Sequence, residues 1–98
     1  MTHEEIKDYI CEQGYEDTII FENPAYDSAF VGLTEDGNAV YNYELMAAEL
    51  VKEDGMTWEE AYEFIDYNTI RALPYMGDRA PVVLYPFEEE GDVDTEDE

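Results

Sequence analysis

The stretch from Thr57 to Tyr85 constrains the fold more than any other part of the chain, because it sets large core side chains beside a dense row of carboxylates. Thr57-Trp58-Glu59-Glu60 has the spacing of a capping box, with Thr at the cap and Glu three residues on. Its acids fall in the first turn, where the helix dipole favours them. Trp58, Ala61, Tyr62 and Ile65 share one helical face, and Glu59, Glu63 and Asp66 share another. Carried one turn further, the acidic row would place Ile70 in water. The helix is therefore expected to stop or kink near Asn68, leaving Thr69–Leu73 as a separate short turn with Ile70 and Leu73 facing inward. Pro74 disfavours helix at Leu73. Pro81–Tyr85 is a continuous apolar run of strand length, suited to a sheet covered on one face, and Pro86 ends it.

The rest of the chain supplies partners for that stretch. Thr2-His3-Glu4-Glu5 repeats the capping-box spacing, and Ile6, Tyr9 and Ile10 then share a face, so a helix is expected at about 3–13, stopped by Gly14. Thr18–Phe21 is a short β-prone run ended by Asn23-Pro24 and is read as an edge strand. Ser28–Thr34 and Ala39–Tyr41 flank Glu35-Asp36-Gly37-Asn38, a hairpin turn in which Gly and Asn accept positive φ at little cost. Asn42 can cap a helix running through Lys52 or Glu53, with Asp54-Gly55 as its end. The order helix, strand, hairpin, two helices, strand predicts an α+β domain over residues 1–87. It should have a small, mainly antiparallel sheet of three or four strands and about three helices packed on one face. Residues 88–98 have almost nothing to bury and are expected to form a disordered acidic tail.

Charge then narrows the choice of partner. The chain has 27 acids against Lys7, Lys52, Arg71 and Arg79, for a net charge of −23. Eight of those acids lie in residues 88–98, which leaves 19 acids and four bases in the body. The apolar fraction of 45% is that of a globular protein rather than a disordered acidic chain. Direct nucleic-acid binding is not expected, since phosphate contacts need basic side chains that are scarce here. The acidic N-terminus is unlike a secretory signal, no apolar run reaches the length of a membrane span, and anionic lipid would be repelled. One cysteine, Cys11, cannot form an intramolecular disulfide, which fits a reducing cytoplasm.

No catalytic constellation is legible. His3, the only histidine, and Cys11 lie about two turns apart on one expected helix, roughly 12 Å and too far for proton transfer. They are read as an exposed His and a half-buried Cys. Asp92–Glu96 lacks the central Gly and the distal Glu of a calcium loop, and neither a zinc pattern nor a phosphate-binding loop is present. The chain is expected to be no enzyme and to need no cofactor or metal.

The nine tyrosines carry more information. Most are expected in the core or sheet. The remainder stand beside acids, as Tyr43 does beside Glu44 and Tyr67 beside Asp66, and suit an interface in which aromatic anchors are ringed by charge. Arg71 is expected to pair internally with a carboxylate such as Asp66. A folded body about 35 Å across spans a length of duplex DNA that carries about 20 phosphates, of the order of this chain's own charge. Such a body could occupy a groove built for nucleic acid. The plainer alternative is charge that only keeps the protein soluble.

The segment from Asp54-Gly55-Met56-Thr57-Trp58-Glu59-Glu60-Ala61 through Phe64–Gly77 to Ala80-Pro81-Val82-Val83, with the Phe30–Thr34 hairpin strand, resembles a group of small acidic proteins encoded in phages and mobile elements of Firmicutes. The likeness covers about residues 26–87 and implies no catalytic residues. In kind, though not in motif, the chain is similar to anti-CRISPR inhibitors and other DNA mimics. The resemblance implies a bacterial cytoplasmic inhibitor whose partner is a basic nucleic-acid-binding protein, in particular a type II CRISPR effector nuclease. The residues expected to meet it are Glu59, Glu60, Glu63 and Asp66, Glu49 and Glu53 on the neighbouring helix, Glu35 and Asp36 on the hairpin turn, and Tyr67 and Tyr75. The other expectation is a non-enzymatic phage accessory protein or interaction module that relies on tyrosines and an apolar patch.

Overall fold

The computed structural model describes residues 2–87, and the tail expected at 88–98 lies outside the described residues. Three α-helices and a three-stranded sheet form an α+β fold. Local chemistry sets most of the boundaries. Helix α1 (His3–Glu12) begins on a complete capping box: Thr2 Oγ1 accepts from the Glu5 amide at 3.1 Å, and Glu5 Oε1 accepts from the Thr2 amide at 2.8 Å. Ile6 and Ile10 on its inner face are buried. Helix α2 (Tyr43–Asp54) is capped by Asn42, whose side chain accepts from the Leu45 amide, and it ends on Gly55 in the left-handed conformation. Met46, Ala47 and Leu50 form its buried face, whereas Leu45 points outward. Helix α3 (Trp58–Phe64) starts on the second capping box, Thr57 with Glu60.

The expected phase break is present and takes a specific form. After Phe64 the chain continues as a π-helical segment, Ile65–Thr69, followed by a 3₁₀ segment, Ile70–Arg79, that breaks at Gly77. Wider π turns place an extra residue per turn, which rotates everything beyond by roughly 100° relative to a regular helix. Ile65 and Thr69 are therefore both buried, Ile70 and Leu73 pack against the core, and Asp66, Tyr67 and Asn68 remain outside. Asn68 donates its side-chain amide to the Phe64 carbonyl at 3.1 Å across this segment.

Strands β1 (Phe30–Leu33) and β2 (Ala39–Asn42) form the expected hairpin, with a bulge between Phe30 and Gly32 that leaves Val31 exposed. Strand β3 (Val82–Leu84) adds to the other edge of β2 in parallel, Val40 opposite Val82 and Asn42 opposite Leu84. The sheet is thus mixed rather than mainly antiparallel. A parallel pair needs a long crossover, and α2, α3 and the π and 3₁₀ segments supply it. On β3 only Val83 faces the core, so the run is covered on one face as its length suggested.

Thr18–Phe21 is not a strand. Its polar groups are taken by partners other than a ladder: the Thr18 hydroxyl donates to the Gly37 carbonyl, the Ile19 amide to the Arg79 carbonyl at 3.4 Å, and the Phe21 amide to the Tyr41 hydroxyl at 3.2 Å. Phe21 then joins a buried aromatic set. Its ring lies 4.6 Å from Tyr41 and 5.4 Å from Tyr26, and Phe30 continues the set from Tyr41 to Tyr9. Burial raises the Tyr41 phenol to about 12, so it stays neutral and can accept the Phe21 amide across the ordinary pH range.

The hairpin turn shows how closely the chain is packed there. Gly37 has φ +92, and the Tyr15 ring lies over it so tightly that an added Cβ would meet Tyr15 Cδ1 at 2.4 Å. Gly37→Ala is expected to cost about 1–3 kcal/mol from the clash and the unfavourable φ together. Urea denaturation measures it, and a loss below about 0.5 kcal/mol would mean that Tyr15 does not seal the turn.

His3 is not the exposed residue expected at the terminus. Its side chain is half-buried, with Nδ1 2.8 Å from Asp27 Oδ1 and Nε2 3.1 Å from Glu22 Oε1. These contacts clasp the start of α1 to the 22–27 loop. The hydrogen bond to Asp27 raises the His3 pKa above its ordinary value, with further support from the charge of Asp27 and from Glu22. A raised folded-state value means that the protonated clasp stabilises the fold fully below about pH 6.5, the unfolded value, and that this contribution disappears as pH rises through the folded value. Thermal stability is therefore expected to fall as pH rises above about 6.5. His3→Gln should flatten that fall; an unchanged slope in the variant would assign the pH dependence elsewhere.

Candidate aromatic and acidic interface

A second aromatic set lies on the outside, where α3 meets the start of α2 and the end of β3. Capping by Asn42 places Tyr43 and Glu44 in the first turn of α2. Trp58 and Tyr62 lie one turn apart on α3, and Tyr85 follows directly on β3. The four rings form a continuous row. Trp58 and Tyr62 are 6.0 Å apart and tilted, Tyr62 and Tyr43 stack at 5.5 Å with 7° between planes, and Tyr43 and Tyr85 lie 4.7 Å apart. Tyr43 is buried and backs the row, whereas Trp58 is 48% and Tyr85 59% exposed.

Two carboxylates are fixed against these rings. Tyr62 donates its hydroxyl to Glu44 Oε1 at 2.7 Å, and Tyr43 donates to Asp66 Oδ1 at 3.0 Å. Burial and the neighbouring Asp66 carboxylate both raise the Tyr43 pKa, so its hydroxyl remains a donor. Each bond holds a carboxylate in place while leaving it other acceptor positions. Glu59 and Glu63, exposed on α3, extend the acidic edge of the same helix.

Arg71 does not pair with Asp66. Its guanidinium lies over the Tyr67 ring, 5.3 Å from the centroid, a contact worth about 0.5–1 kcal/mol at an exposed site. Asp66 already holds the Tyr43 hydroxyl, and the exposed Tyr67 face offers the cation a nearby seat. Among the described residues, ion pairs within 4.0 Å involve only His3 with Glu22 and Asp27, so no lysine or arginine among them forms an ion pair with the α3 edge.

The other expected contact residues fall in different places. Glu60 closes the cap of α3 by accepting from the Thr57 amide at 2.9 Å. Glu49 is half-buried and turned inward: its carboxylate accepts from the Ser28 hydroxyl at 2.7 Å and from the amides of Ser28 and Tyr26 at 3.3 and 3.2 Å. These bonds hold Tyr26 in the left-handed conformation at φ 54, a strained choice for a non-glycine residue. Glu53 is exposed near the end of α2. Glu35 and Asp36 occupy the hairpin tip, at the opposite end of β2 from Tyr43. There Arg79 donates to the Asp36 carbonyl at 2.6 Å and Tyr15 to the Glu35 carbonyl at 3.2 Å. Tyr67 and Tyr75 are exposed by 68% and 89%. The structure thus brings Glu59, Glu63, Asp66 and Tyr67 onto one side of the α3–π segment and leaves the hairpin acids apart. Tyr43 and Glu44, expected as an interface pair though not among the contact residues, join the site, and Tyr62, Tyr85 and Trp58 join it unannounced. Trp58 and Tyr62 share a face at helical spacing and so read as core; only the packing of three separate elements reveals that this face borders solvent.

Among the described residues no group of three or more His, Cys, Asp and Glu is placed to hold a metal ion, and no helix is long and apolar enough to cross a membrane. Cys11 is exposed rather than half-buried, and His3 is engaged with Asp27 and Glu22 rather than directed toward it. The chain matches none of the protein-family models, curated proteins or solved structures with which it was compared.

Proposed function

We propose that this chain is a phage-type inhibitor that occupies the DNA-binding groove of a basic nucleic-acid-binding protein in the bacterial cytoplasm. The specific target proposed is a type II CRISPR effector nuclease, which would make the chain an anti-CRISPR. One observation carries the reading. An edge of carboxylates on α3 and the π turn, Glu59, Glu63 and Asp66, makes no ion pair with a lysine or arginine among the described residues and stands beside a row of partly exposed rings. Carboxylates steer a basic groove toward the body, and large rigid rings supply contact area at small entropic cost. The test is a cleavage assay with purified guide-loaded nuclease, paired with a pull-down at low salt. Inhibition with co-purification supports the reading; full cleavage without binding rejects it.

A second reading is favoured by a different observation. Val82, Leu84, Tyr85 and Phe87 are all exposed along and just beyond β3, which suits an interaction module held by apolar contact. Binding of that kind changes little between low and high salt, whereas mimicry weakens sharply as exposed charges are screened.

A further inference from the structure

The row of rings between α3, α2 and β3 is more than an acidic patch, and its composition selects among basic partners. A lysine ammonium is a compact, strongly hydrated charge that gains little from a ring face. A guanidinium is planar, sheds water more readily, stacks on aromatic faces and bonds a carboxylate through two parallel N–H groups. This face offers both partners of that recognition at once. The two inner rings hold the carboxylates, Tyr62 bonding Glu44 and Tyr43 bonding Asp66, and the exposed Trp58 and Tyr85 flank them at 6.0 and 4.7 Å. Both carboxylates are already oriented by tyrosine hydroxyls, so little freedom is lost when a cation arrives. The chain itself lays a guanidinium on a ring one turn further on, where Arg71 lies over Tyr67 without bonding Asp66.

We propose that this face is a seat for arginine side chains of a basic partner, with guanidinium planes lying on the Trp58 and Tyr85 rings and bonded to Glu44 and Asp66. The inference rests on the proposed engagement of a basic protein and adds the chemistry by which that protein is held. It also distinguishes the rings from the surrounding acids, which attract lysine and arginine alike.

The experiment compares ten-residue arginine and lysine peptides of equal charge as ligands of the full chain, by calorimetry at low and moderate salt. Arginine is expected to bind on the order of fivefold more tightly. Trp58→Leu and Tyr85→Leu should each reduce that preference while leaving lysine binding unchanged. Carboxylates elsewhere, including the eight acids of residues 88–98, bind both peptides without a ring nearby, so the ring variants isolate the seat. Both substitutions replace exposed rings by another apolar side chain, and circular dichroism checks their folding. Equal affinity for the two peptides overturns the arginine seat but leaves electrostatic engagement of a basic protein standing. An arginine preference undiminished in both variants also overturns it. Failure of either peptide to bind at low salt overturns the seat and the proposed function together.

Discussion

Ile65→Ala is expected to destabilise the fold by about 2–5 kcal/mol, the range for truncating a fully buried aliphatic side chain whose site relaxes only partly. Ile65 is completely buried and opens the π segment, so it joins α3 to the core and also fixes the rotation of all that follows. A domain of this length holds about 5–15 kcal/mol in total, and the loss should lower the melting temperature by roughly 10 °C or more. Ion pairs offer little reserve: among the described residues only His3 makes them. Ile65→Val keeps the branched shape and should cost only about 0.5–1.5 kcal/mol. Urea denaturation of both variants measures the difference. If alanine costs no more than valine, Ile65 does not anchor the π turn in the core.

The second large effect concerns the outer edge of the same segment. The triple variant Glu59→Gln, Glu63→Gln, Asp66→Asn removes three charges but keeps side-chain volume, and the amide oxygen introduced by Asp66→Asn can still accept the Tyr43 hydroxyl. Association with a basic nucleic-acid-binding partner is expected to slow by about tenfold or more at low salt, with little change once salt screens the pair. Stability should change little. Neutralisation relieves the like-charge repulsion of Glu59 and Glu63, about 0.2–0.5 kcal/mol, but gives up the favourable place of Glu59 in the first turn of α3, about 0.3–1 kcal/mol. A variant of nearly unchanged stability that is slower to bind would identify the row as serving recognition. Equal association rates for the two proteins would reduce the row to a solvated helix face. Glu49, by contrast, is tied to the Tyr26–Ser28 loop, and its removal should act on folding before it acts on any partner.

Legibility in the sequence followed the range of the interactions. Both capping boxes, the Asn42 cap and the Gly55 stop depend on residues within one or two turns, and the structure places them where the spacing does. The break near Asn68 was also readable, because a carboxylate row and an apolar residue cannot share a face; that it is a π segment could not be read, since the extra residue per turn leaves no mark in composition. Long-range partners were invisible. Nothing near Thr18–Phe21 announces that its amides go to a tyrosine hydroxyl and a distant carbonyl instead of a strand. Nothing near Pro81 announces a parallel neighbour, and nothing near His3 points to Asp27. The α3 acids were found from helical phase alone. The ring row was missed because its members come from three elements and two of them share a core-like period.

The most direct test of the central claim is a competition for the groove itself. Labelled target duplex is bound to a guide-loaded type II nuclease, and its release is followed by fluorescence anisotropy as the protein is added at increasing salt. The account predicts release at low salt that fades as salt rises, and a weaker effect from the protein lacking the three charges of Glu59, Glu63 and Asp66. Duplex that stays bound at every salt concentration, or equal release by the neutralised protein, would contradict it.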